Sequence, residues 1–69
     1  MILTKEETLS IINLKTDENL KIEDESRGMH WFEVEKVRHT EYRVSKWLIM
    51  CQAVEYFSTA DEVISFIER

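Results

Sequence analysis

Few residues of this 69-residue chain could do chemistry: His30, His39, the single Cys51, the serine and threonine hydroxyls, and the acid pair Glu33 and Glu35. Acid–base or nucleophilic catalysis needs such groups to converge where their pKa values are tuned by the surroundings. The two histidines lie at opposite ends of one extended stretch, roughly 30 Å apart if it is straight, so they cannot share a metal ion or a proton within a monomer. Cys51 ends the apolar run Trp47–Cys51, where a buried and inert thiol is expected. Glu33 and Glu35 share a strand face with no acid–base partner beside them. Gly28 is the only glycine, so a glycine-rich phosphate loop is excluded. Zinc spacing is absent too, with no CxxC and no Cys/His cluster. No catalytic residue, metal site or cofactor is expected, and the chain reads as a non-enzymatic protein.

The remaining chemistry is recognition. Trp31, Tyr42, Trp47 and Ile49 form the candidate protein interface, because large rings beside apolar neighbours mark such surfaces when a small core cannot cover them. A second reading uses Lys36, Arg38, Arg43 and Lys46, interleaved with the same rings, as a nucleic-acid contact that combines stacking with phosphate neutralisation. Charge distribution separates the two. The net charge is −5, and it is uneven: −4 over residues 1–26, +2 over 27–46 and −3 over 47–69. Acidic overall composition opposes non-specific phosphate binding, while the basic middle keeps a local contact open. Seven of the 14 acids precede Gly28, a distribution expected of solvated helix and loop surface.

These residues need elements to hold them. The segment His30–Phe57 carries both tryptophans, both tyrosines and the cysteine, without glycine or proline. Phe32 and Val34 alternate with Glu33 and Glu35, a period of two that predicts a strand over Trp31–Val37. Arg38–Glu41 is the expected reversal, and Tyr42–Lys46 alternates again, placing Tyr42 and Val44 with Phe32 and Val34 on the core face. A turn centred on Thr40 would pair Phe32 with Leu48. One residue of slip flips a strand's faces, so the pattern does not say which tryptophan is buried. For residues 47–57, apolar side chains fall all around a helical wheel and β-branched and aromatic types abound, which favours a bend near Cys51-Gln52 and a final strand Ala53–Phe57.

Helical signals flank this sheet. Thr4-x-x-Glu7 is a capping box ahead of a short helix from Lys5 to Asn13, with Leu9 and Ile12 on one face. Thr16–Asn19 is turn chemistry, Leu20–Glu23 alternates as a short strand, and Asp24–Gly28 reads as a loop. Thr59-x-x-Glu62 caps a second helix, Thr59–Glu68, whose Ala60, Val63, Ile64 and Ile67 make one apolar stripe. The expectation is a single small α+β domain over residues 1–69. It has a short N-terminal helix, a three- to four-stranded antiparallel sheet, and a C-terminal helix packed on one face of that sheet.

Three strands leading into a helix through the junction YFSTADEV resemble the arm-type DNA-binding domains of phage integrases. The resemblance covers topology and that junction alone. The acidic composition and Glu33, Glu35 and Glu41 inside the would-be surface depart from it, and no family is recognised. A domain of this size buries only about 60% of its unfolded surface, so small domains often lean on a second subunit, and a homodimer is expected. The N-terminus lacks a signal-peptide pattern and no apolar run approaches a membrane span, so a cytoplasmic location is expected. Size and charge together suit an accessory protein, regulator or inhibitor, such as phages and mobile elements carry, that binds a protein partner or itself.

Overall fold

A computed structural model describes residues 2–24, 30–48 and 51–69. Helix α1 (Lys5–Ile12) leads into strands β1 (Asn19–Glu23), β2 (His30–Arg38), β3 (Glu41–Leu48) and β4 (Cys51–Phe57), and helix α2 (Ala60–Glu68) ends the fold. The strands form one antiparallel sheet in the order β1-β2-β3-β4. It is the expected α+β arrangement, with both helices on one face.

Local chemistry accounts for the helix ends. Thr4 Oγ1 accepts from the Glu7 amide at 3.1 Å while the Thr4 amide donates to Glu7 Oε1 at 2.9 Å. The same reciprocal pair recurs between Thr59 and Glu62. The turn after α1 puts Asp17 at φ 69°, a left-handed conformation that aspartate tolerates better than most residues. Its flanks are pinned, since the Lys15 amide donates to Glu18 Oε1 at 2.8 Å and the Asp17 amide to the Lys36 carbonyl at 2.9 Å.

Between the sheet and helices lies a core of Leu3, Ile11, Leu14, Ile22, Phe32, Val34, Tyr42, Val44, Val63 and Ile67. Phe32, Val34, Tyr42 and Val44 share the core face as the alternation predicts. On α1 the expectation is corrected: Leu9 and Ile12 are 46% and 47% exposed, and Ile11 is the buried residue. In a helix of only eight residues, one inward position suffices, and Leu3 and Leu14, which flank it in sequence, fill the core around it.

The hairpin register also differs from the expected one. Phe32 lies opposite Lys46, and Val34 opposite Val44, with a register shift between Lys36 and Arg38. The turn is the two-residue step His39-Thr40, which alone would place Val34 against Ser45. The bulge at Val37 adds one residue to β2 and so restores the matching of apolar faces. Residues 47–48 and 51–57 are strand, as expected, but β4 begins at Cys51 rather than bending there. Of the expected loop Asp24–Gly28, residues 25–28 lie outside the described residues, as does Ile49, expected at the interface.

Candidate functional site

The face turned away from the helices is where recognition chemistry collects. Register sends Trp31, Glu33 and Glu35 of β2, Arg43, Ser45 and Trp47 of β3, and Gln52, Val54 and Tyr56 of β4 to that side. Trp31 and Trp47 are directly opposite one another and stack, with ring centroids 5.6 Å apart and planes 12° apart. Both are half-buried. Lys21 Nζ sits 4.9 Å from the Trp31 ring centroid, and Trp31 Nε1–H donates to Glu33 Oε1 at 3.2 Å. Trp47 Nε1 is buried and has no hydrogen-bond partner among the described residues.

Charges frame this stack. Arg43 pairs with Glu35 across the strands, and Lys21 with Glu23 at 3.5 Å. Lys21, Glu33, Glu35, Arg43 and Ser45 line a shallow depression of about 270 Å³ between β1, β2 and β3. On the other side of the tryptophans, Val54 and Tyr56 are 44% and 59% exposed. The arrangement is an aromatic spot with an apolar flank and a rim of mixed charge, the composition of a protein contact.

The residues singled out in the sequence divide between the two faces. Trp31 and Trp47 are brought together. Tyr42 is not with them: it is 5% exposed, in the core beneath the helices. The cations do not converge either. Lys36 and Lys46 lie on the helix side, 5.4 Å from the Tyr42 ring centroid and 5.9 Å from that of Phe32. Arg43 is on the open face and engaged by Glu35, while Arg38, at the turn, lies 3.9 Å from Glu41. Cys51 is exposed, which corrects the expectation of a buried thiol: β4 is an edge strand with no helix over its first residues.

A second constellation was not visible in the sequence. His30 Nδ1–H donates to Asp24 Oδ2 at 3.1 Å, and both side chains are almost wholly buried. Sequence spacing relates His30 only to His39 and puts Asp24 in a polar loop. The β1–β2 pairing makes the contact, since the Asp24 amide also donates to the His30 carbonyl. The pair borders a cavity of about 110 Å³ with Phe32, Lys46, Phe66 and Arg69. No serine, threonine or cysteine is among its described lining residues, and His30 Nε2 is occluded without a partner. With side chains and backbones both bonded across the two strands, the dyad is a buried polar clamp joining β1 to β2.

Among the described residues no group of three or more His, Cys, Asp or Glu side chains is placed to hold a metal ion. No described helix is long and apolar enough to cross a membrane. No family model, curated protein or solved structure matches the chain.

Proposed function

We propose that the protein acts without catalysis, as an accessory, regulator or inhibitor that binds another protein through the open sheet face. The observation that carries this reading is the Trp31–Trp47 stack on the face opposite both helices. A small domain gains most by burying its largest rings, so two tryptophans left outside the core supply binding surface rather than core volume. Glu33, Glu35, Arg43 and Lys21 around them provide the polar rim that fixes orientation. The occluded His30 Nε2, with no serine, threonine or cysteine among the described residues lining the cavity beside it, supports the non-catalytic half of the reading.

The test compares capture of proteins from source-cell lysate by the wild type and by Trp31→Thr/Trp47→Thr, in which threonine preserves strand propensity. If that variant loses its fold, Glu35→Arg/Arg43→Glu keeps an ion pair while reversing the rim. Ile12→Lys, on the outer side of α1, is the control. A protein retained by wild type and control but lost on the face variants is expected. Equal retention by all, loss on the control, or no retention by the wild type would sink the proposal.

A further inference from the structure

Strand β4 is the least covered part of the sheet. Six of its seven residues are exposed, and only Phe57 is partly covered. Its inner edge pairs with β3, and its outer edge pairs with nothing among the described residues. Every second residue of an edge strand turns its N–H and C=O outward, a template for another strand.

The sheet's two edges are not equivalent. β1 is five residues long and bears Asn19, Lys21 and Glu23, the short length and charge by which edges are kept from pairing. β4 is seven residues long, with neither lysine nor proline and a single charge, Glu55. From this asymmetry we infer that β4 is a self-association edge: two copies pair β4 against β4 antiparallel, making one eight-stranded sheet about a two-fold axis at Val54.

The sequence of β4 suits a second copy as the occupant. About an axis at Val54, valine meets valine, Tyr56 meets Gln52, Phe57 meets Cys51, and Glu55 meets Ala53. An axis at Glu55 would set carboxylate against carboxylate. The two open faces then run together, so the dimer presents two tryptophan stacks on one continuous surface. The net charge of −5 opposes association at a distance, but at physiological salt this repulsion is screened beyond about 8 Å, and the contact itself carries little charge. An edge contact alone buries less than the roughly 1,200–2,000 Å² of a standard interface, so the dimer is weak and concentration-dependent.

Two substitutions at one exposed position test this. Ala53 lies opposite Lys46 within the chain and opposite Glu55 of the second copy in the dimer. Ala53→Glu therefore favours the β3–β4 pairing inside the monomer while setting like charges across the dimer axis twice. Ala53→Lys does the reverse. Light scattering from low micromolar to near-millimolar concentration should show the wild type rising from 8.3 kDa toward twice that mass. Ala53→Glu should raise the dissociation constant by roughly tenfold, and Ala53→Lys should leave it unchanged or lower it. A wild type that stays monomeric, leaving the edge to a strand from another protein, overturns the inference. So do two variants that shift alike. Ala53 faces the helix side, so neither variant touches the tryptophan pair, and this test can fail while the proposed function stands.

Discussion

The two tryptophans are alike in position but not in bonding, which makes them separable experimentally. Trp31 Nε1–H is donated to Glu33, whereas Trp47 Nε1 is buried without a partner among the described residues. A buried donor left unpaired costs about 1–3 kcal/mol. Trp47→Phe removes that cost along with part of the ring, so it should destabilise by less than about 1 kcal/mol. Trp31→Phe forfeits a made bond and should cost more. Urea unfolding of both variants gives the order, and the reverse order would contradict this account of the stack. A double-mutant cycle between the two positions should return about 0.5–1.5 kcal/mol of coupling. The pairing itself could not be read from residue types. The two-residue turn and the bulge at Val37 together decide which side chains oppose each other, and neither leaves a glycine or proline mark in the sequence. The Asp24–His30 contact was hidden for a similar reason: it joins the ends of two strands, and no spacing rule links those positions.

At the scale of elements the sequence was most legible where a local bond defines the boundary. Both capping boxes form with the threonine and glutamate expected, because each needs only four consecutive residues. Thr59→Ala should cost about 1 kcal/mol, since the hydroxyl that accepts the Glu62 amide is lost. A thermal melt of this variant should show the drop, with a smaller effect for Thr59→Asn, which still caps. Helix α1 was read correctly in extent but not in facing. Its apolar residues are too few to define a stripe, so tertiary packing chose Ile11 over the Leu9–Ile12 pair. Ile11→Ala should therefore destabilise by about 2–4 kcal/mol, while Ile12→Lys should stay within about 0.5 kcal/mol. Chemical denaturation midpoints for the two variants check this, and comparable losses would mean that Ile12 is covered in solution.

For the molecule as a whole, the sheet sorts the charges as well as the rings. The basic middle of the chain looked concentrated in sequence, but alternation sends Lys36 and Lys46 to the helix side and Arg43 to the open face, where Glu35 engages it. Arg38 sits at the turn beside Glu41. A phosphate backbone approaching either face thus meets a divided set of cations on a chain of net charge −5. Affinity for nucleic acid comes mainly from the number of phosphates neutralised together, with log K falling by about 0.7–0.9 per phosphate for each tenfold rise in salt. Two cations on one side, opposed by long-range repulsion, leave that term small. A fluorescent single-stranded oligonucleotide titrated with the protein at about 0.15 M salt should therefore show no saturable rise in anisotropy. The same titration at tenfold lower salt should show at most weak binding that vanishes as salt is restored. Tight binding with a steep salt slope would instead require the cations to regroup on one surface, and the nucleic-acid reading would then displace the protein-binding one.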